Sequence, residues 1–255
     1  MKRTITFSFF ILLLSIPMFG ISQNKNNYDY DKNVIKFNLT GLLLNNYGIQ
    51  YERMISRKTS FALGLRTMPE SNIPFANQLG LDSEDFNSND LTMGNYAITP
   101  EIRFYLGKKS GPRGFYFAPF FRYSNFDFAL KNINFTFEDD DDFVSIEKSA
   151  SISANVKAMS AGAMIGSQWR LGKAIYLDWW ISGGSYGKSN GNLSINTSID
   201  KDDISIIRED LQEQLNDIEI SSVKTTLDVT EQGARVDFKA PWASVRAGLS
   251  LGFRF

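Results

Sequence analysis

The sequence predicts an all-β fold, an eight-stranded antiparallel up-and-down transmembrane β-barrel with long extracellular loops, one containing a short amphipathic helix. The last stretch, Ala243 to Phe255, carries the prediction furthest. Val245, Ala247, Leu249, Leu251, Phe253 and Phe255 fall on one side of a period-two segment, and Ser244, Arg246, Gly248, Ser250, Gly252 and Arg254 on the other. Beyond the N-terminal segment, no apolar run approaches the length of a membrane helix, so a membrane-spanning chain must close into a barrel. The aromatic share, 14% with 21 Phe, suits the interfacial girdles of such a barrel. A mean hydropathy of -0.21 fits as well, because only alternate residues would meet lipid.

Of the 255 residues, the first 22 read as a secretory signal peptide. Lys2 and Arg3 are a basic start, Ile5 to Phe19 is almost wholly apolar, and Gly20-Ile21-Ser22 puts small residues before Gln23. Residues 23–33 are then a short polar lead, and residues 34–255 the barrel. With no Cys, a lipoprotein anchor and a disulfide framework are both excluded. The formal charge of -1 becomes -3 once Lys2 and Arg3 are lost, which gives no reason to expect nucleic acid as a partner.

The first strand starts at Val34, with Ile35, Phe37, Leu39 and Leu43 opposing Lys36, Asn38 and Thr40, and Asn45-Asn46 suits a tight hairpin turn because Asn tolerates positive φ. In the second, Tyr47, Ile49 and Tyr51 alternate with Gly48, Gln50 and Glu52. The third sets Phe61, Leu63 and Leu65 outward against Ala62, Gly64 and Arg66. A loop follows from Pro69 to Asn95. Strand four carries Ile98, Ile102, Phe104 and Leu106 against Thr99, Glu101, Arg103 and Tyr105. Strand five opposes Phe117, Phe121 and Tyr123 to Tyr116, Ala118, Arg122 and Ser124, so Phe120 must pack in the lumen or mark a bulge. A second loop covers Leu130 to Asn155. Strand six sets Ala161, Ala163, Ile165 and Trp169 against Gly162, Met164, Gly166, Gln168 and Arg170. Strand seven sets Ile175, Leu177, Trp179 and Ile181 against Tyr176, Asp178, Trp180 and Ser182. Gly183-Gly184 opens the longest connection, residues 184–241, before the closing strand.

Connection lengths alternate. Strands two, four and six end in short basic turns, and strands three, five and seven in long loops, which predicts both termini in the periplasm and the long loops outside. The short hairpin after strand one departs from this. Pro100 and Pro119 each remove a ladder donor, so a bulge or local fray is expected there.

An eight-stranded barrel is filled by its own side chains. Lys36, Glu52, Arg66, Glu101, Arg103, Arg122, Arg170, Asp178, Arg246 and Arg254 all point inward on this alternation, and buried charges must pair. They form either a structural salt-bridge plug or, because arginine exceeds carboxylate, a narrow anion path or small-anion site. Within the last connection, residues 203–217 read as a helix. Ile204, Ile207, Leu211, Leu215 and Ile218 form one apolar stripe, with Asp202 or Asp203 as N-cap. The run Asp139, Asp140, Asp141, Asp142 is a weak hard-cation candidate without the spacing of a calcium loop, so no dedicated metal site and no cofactor are expected. With no His and no Cys, the usual nucleophile arrangements are missing and the expectation is a non-enzyme.

The terminal Phe255, preceded by Phe253, Leu251 and Leu249, resembles the signal by which bacterial outer-membrane barrels are recognised for assembly. In length, strand count, loop parity and this ending, the chain resembles the small OmpA- and OmpW-type barrels and uncharacterised outer-membrane barrel families bearing a domain of unknown function. That resemblance implies a bacterial outer-membrane location, with lipid, lipopolysaccharide and the barrel assembly machinery as partners. Two roles stay open. One is a structural or surface-interaction protein with a largely closed lumen and an extracellular protein as contact. The other is a narrow anion-preferring pore or small-molecule conduit.

Overall fold

The computed structural model describes residues 32–72, 90–138, 145–202, 204–216 and 222–255. The strands are β1 (Asn33–Asn38), β2 (Tyr47–Met54), β3 (Thr59–Asn72), β4 (Leu91–Tyr105), β5 (Gly114–Glu138), β6 (Ser145–Arg170), β7 (Ile175–Asn196), β8 (Lys224–Thr230) and β9 (Gly233–Arg254). Two helices accompany them, α1 (Leu39–Leu42) and α2 (Ile204–Asn216). No helix among the described residues is long and apolar enough to cross a membrane.

All pairings are antiparallel, and β1 through β7 pair in sequence order before β7 pairs with β9. The ring closes where β1 meets β9, with Val34 opposite Arg254 and Asn38 opposite Ser250. β8 lies outside the ring. It pairs with residues 233–239 of β9, beyond the part of that strand that β1 covers. Where the ring is closed, its strands have no edge free for pairing with another chain. The wall is uneven, since β5, β6, β7 and β9 run 22 to 26 residues and β1 and β2 only 6 and 8.

The alternation sorts the side chains into two environments. Outward, Phe61, Ile98, Ile102, Phe117, Phe121 and Ile165 are exposed, and Val245 reaches 89%. Aromatic pairs mark both ends of this apolar belt. Trp169 stacks with Trp179 at 6.2 Å and Tyr51 lies 6.3 Å from Phe255 at the end bearing the termini, while Tyr96 and Tyr123 pair at 6.0 Å near the other end. Tyr96 on β4 and the exposed Leu106 just after its end are about ten residues apart, roughly the length of one tilted membrane strand.

Several elements depart from the sequence reading. The first strand stops at Asn38, so Leu39 and Leu43 leave its face. The Asn38 carboxamide oxygen accepts from the Gly41 amide at 2.8 Å, capping α1 in place of a longer ladder. A Cβ on Gly41 would sit 2.4 Å from the Asn46 carbonyl, and Asn45 takes up φ 51, so the connection needs these residue types. The loop read over Leu130–Asn155 is mostly strand: β5 runs on to Glu138 and β6 begins at Ser145, with a register shift between Leu130 and Ile133. Ile133, Phe135 and Phe137 continue the period-two pattern there, although the polar Asn134 and Thr136 separate them. Asp139–Asp142 lie outside the described residues. At the loop read over Pro69–Asn95, β3 likewise runs on to Asn72 and β4 begins at Leu91.

The pair Gly183-Gly184 opens no loop. β7 continues through it to Asn196, and β9 begins at Gly233, so 184–241 is not a loop throughout. A bulge replaces the expected turn. The β7 register shifts by one against both neighbours around Ile181, so Gly183, Ser185 and Ser189 turn inward and Ser182 is exposed, contrary to the sequence reading. Pro100 and Pro119 cause no register shift. The β4–β5 pairing keeps one register from Ile98–Tyr123 to Phe104–Phe117 and is interrupted beside both prolines, while Pro100 still opposes Leu63 and Pro119 opposes Ala163.

On α2, Ile204, Ile207, Leu211 and Leu215 are half-buried while most of the other positions are exposed. The helix packs on β8, and Arg208 donates from Nη2 to the Val229 carbonyl at 3.1 Å. Ile218 lies outside the described residues. Gly233, at φ 133 in the β8–β9 hairpin, leaves no room for a side chain, because a Cβ would lie 1.9 Å from the Ile195 carbonyl. Gly233→Ala is expected to destabilise this hairpin by about 1–3 kcal/mol and to raise amide hydrogen exchange in β8 and α2, leaving exchange in β1 to β4 unchanged.

Candidate functional site

The lumen is built in layers from the end bearing the termini. Met54 and Tyr105 lie nearest that end in a buried apolar cluster that also holds Tyr116, Ala118, Phe120 and Met164, with the two tyrosine rings 5.4 Å apart. Two residues further along from Met54 and Tyr105 come Glu52 and Arg103.

Lys36 projects from β1 and is fully buried. Its Nζ lies 2.5 Å from Glu52 Oε2 and 2.7 Å from Asp178 Oδ2, and donates to Gln168 Oε1 at 2.6 Å. Arg103, from β4 on the facing wall, donates from Nη1 to Asp178 Oδ2 at 2.6 Å, from Nε to Glu101 Oε1 at 2.6 Å and from Nη2 to Gln50 Oε1 at 2.8 Å. Its guanidinium lies over the Tyr116 ring at 4.5 Å. Tyr105 donates to Glu52 at 2.6 Å, Tyr116 donates to Asp178 Oδ1 at 2.8 Å, and Ser60 also donates to Glu52. Alternation along seven different strands, β1 to β7, delivers these groups to one region of the interior.

Next comes Arg246. It donates from Nη1 to Glu101 Oε2 at 3.1 Å and is held between Phe120 at 4.7 Å and Trp180 at 4.9 Å. Phe120 therefore packs in the lumen, in an unshifted register with β6. Lys36, Arg103 and Arg246 balance Glu52, Glu101 and Asp178, so this network is neutral. Neutrality and dense hydrogen bonding are what make six buried charges tolerable in an interior of low dielectric.

Of the residues assigned to the lumen from sequence, these six come together. Arg66 and Arg122 do not join them. They face a cavity of about 110 Å³ that borders the network, with Lys36, Gln50 and Arg246 also in its lining. Arg170 leaves the set, since it is exposed and donates to the Gly172 and Lys173 carbonyls at 2.9 and 3.2 Å. It is the last residue of β6, where the wall ends and its long side chain reaches the turn instead of the interior. Arg254 is exposed at the end of β9. Gln50, Gln168, Ser60, Tyr105, Tyr116 and Trp180 complete the network without having been singled out, although most of them fall on inward positions of the same alternation. Uncharged donors and acceptors were the missed signal.

At the closing seam, Phe253 opposes Ile35 and Ile175, and Leu251 opposes Phe37 and Leu177. The Phe255 amide donates to the Asn33 carbonyl at 3.2 Å. The apolar face at Leu249, Leu251, Phe253 and Phe255 thus belongs to the outer surface beside the ring closure. No group of three or more carboxylates among the described residues is arranged to hold a metal ion.

These features define an antiparallel β-ring that closes on itself around a charged, hydrogen-bonded interior. The chain belongs to the family described as "Protein of unknown function (DUF3575)", whose profile matches residues 9–201. Among solved structures it is similar to a major outer membrane protein from Thermus thermophilus, at 12% identity and a TM-score of 0.32, over 88% of this chain and 98% of that one. No curated protein matches it.

Proposed function

We propose that this protein is a bacterial outer-membrane β-barrel of structural or surface-interaction type, with termini in the periplasm and a lumen closed to ions. The observation that carries this reading is the neutral network of Lys36, Glu52, Glu101, Arg103, Asp178 and Arg246, all buried and drawn from β1, β2, β4, β7 and β9 across the interior. Opening it would separate ion pairs from solvent-excluded partners, which costs several kcal/mol for each charge left unpaired. The outward apolar belt with aromatic pairs at both ends suits a bilayer.

In this reading the long β5–β6 hairpin, β8 and α2 are displayed at the end away from the termini, as a surface for lipopolysaccharide or an extracellular protein. Insertion would depend on the assembly machinery reading the face that ends in Phe255. No catalysis is assigned, since the chain has neither His nor Cys. A second reading, an anion-preferring conduit, draws on Arg66 and Arg122 beside the cavity.

Conductance of the purified full chain in a planar lipid bilayer separates the two. The closed barrel is expected to give no steady current above the bare bilayer. Steady anion-selective steps that change when Arg122→Gln is introduced would overturn the closed-lumen reading in favour of the conduit.

A further inference from the structure

We infer that Arg66, Arg122 and Arg246 form a binding site for a doubly charged tetrahedral oxyanion of the phosphate class, seated in the cavity above the closed network. This rests on the closed-lumen reading only for the direction of entry, from the end away from the termini.

Charge balance points to the ligand. The network below is neutral, and Arg246 belongs to it through Glu101. Arg66 and Arg122 are therefore in excess by two. Neither is in an ion pair among the described residues, and the Nε of each is buried with no hydrogen-bond partner. Arg122 is 8% exposed and Arg246 7%, so bulk water screens them poorly. Three guanidinium groups lining one cavity repel one another, and no described carboxylate offsets two of them. Such an arrangement is stable with an anion between the groups and costly without one.

The shape agrees with the charge. The cavity of about 110 Å³ has room for several waters at about 10–15 Å³ each, or for one small oxyanion. Gly64 keeps one wall open, because a Cβ there would only reach ordinary contact, 3.6 Å from the Thr99 carbonyl and 3.7 Å from Gln50 Nε2. A planar guanidinium offers two parallel donors to an oxyanion, and two such groups match the two charges of a phosphate group better than the single charge of a carboxylate or halide.

Trp180 lines the cavity and provides a reporter. The other three tryptophans, Trp169, Trp179 and Trp242, are replaced by Phe in the full-length chain refolded into lipid nanodiscs. Trp180 emission and thermal unfolding are then followed during titration with inorganic phosphate, sulfate, acetate and glycerol phosphate. Phosphate and sulfate are expected to shift the emission and raise the unfolding temperature, with acetate much weaker. Arg66→Gln and Arg122→Gln are each expected to weaken phosphate binding by about ten- to a hundredfold, the loss of one charge-assisted contact. Arg122→Lys should restore part of it. In phosphate-free buffer the two Gln variants should unfold at a higher temperature than the parent, because an unpaired charge has gone, so a folding defect is not the expected result.

Glycerol phosphate distinguishes sources. If it binds like phosphate, the site accepts the phosphate of a larger headgroup; if only phosphate and sulfate bind, the ligand is a free ion. Acetate binding as tightly as phosphate, or phosphate binding unaltered in both Gln variants, would overturn the inference. A barrel that conducts yet binds phosphate would sink the closed-lumen reading alone, and a silent barrel that binds none would sink this site alone.

Discussion

Asp178→Ala lowers the unfolding free energy by about 3–5 kcal/mol, the largest effect expected from any single side chain in the lumen. Asp178 is fully buried and is the acceptor on which both facing cations converge, Lys36 at 2.7 Å and Arg103 at 2.6 Å. It also accepts from Tyr116 at 2.8 Å and from Trp180 Nε1 at 3.2 Å. Removing it leaves three buried cations facing only Glu52 and Glu101 where water cannot reach them, and the cost comes from the lost compensation more than from the pair's intrinsic strength. The double variant Lys36→Met with Asp178→Leu tests that distinction, since it keeps the interior nearly filled and leaves Glu52 facing Arg103, 3.6 Å away. Its loss should fall well below the sum of the two single changes, with a coupling of about 1–3 kcal/mol. Urea unfolding in detergent micelles, followed by Trp emission, measures both. A loss under about 1 kcal/mol for Asp178→Ala would mean that the charges are screened like surface pairs, and hence that the lumen is wet and open.

Ile165→Arg is expected to cost about 2–4 kcal/mol in lipid vesicles, because its side chain stands on the outer surface near the middle of the apolar belt. Ile165 is 51% exposed, opposes Phe117 on β5 and Ser182 on β7, and lies four residues from the Trp169 that marks the end bearing the termini. On a water-facing wall the same change would fall within about 0.5 kcal/mol, since an exposed arginine disturbs nothing. Reversible unfolding from vesicles, compared with Tyr186→Arg on the same outer surface, four residues beyond Ser182 along β7, gives the depth dependence. Equal and negligible effects at the two positions would exclude a bilayer around this wall.

The period of two made the lumen legible before any pairing was known. Once Lys36, Glu52, Glu101, Arg103 and Asp178 fell on the polar side of their strands, charge burial required them to find one another, and they do. The outward residues followed from the same count, Phe255 included. Only the three-dimensional pairing could reveal the bulge at Ile181, because a one-residue register shift leaves no mark on composition yet exchanges the two faces of everything after it. For the same reason Gly183-Gly184 read as a turn and became strand.

Loop and strand were confused where polarity and periodicity disagreed. Asn132, Asn134 and Thr136 read as loop by polarity, while Ile133, Phe135 and Phe137 kept the strand period, and pairing with β6 decided for strand. Local side-chain bonding decided the other way at Asn38, whose carboxamide caps a helical turn and ends β1 early.

What the sequence determined by itself was the strand-rich, two-faced character of the chain and the list of charges that its interior would have to hold. That information is local, since each side chain's face follows from its neighbours along the strand. The tertiary structure decided which charges neutralise one another and which are left over. Arg170 slipped out to a turn at the barrel's end, six charges closed into a neutral network, and Arg66 and Arg122 stand beside a cavity with no ion pair among the described residues, because the register of eight strands around a closed ring sets the height at which each side chain enters the lumen.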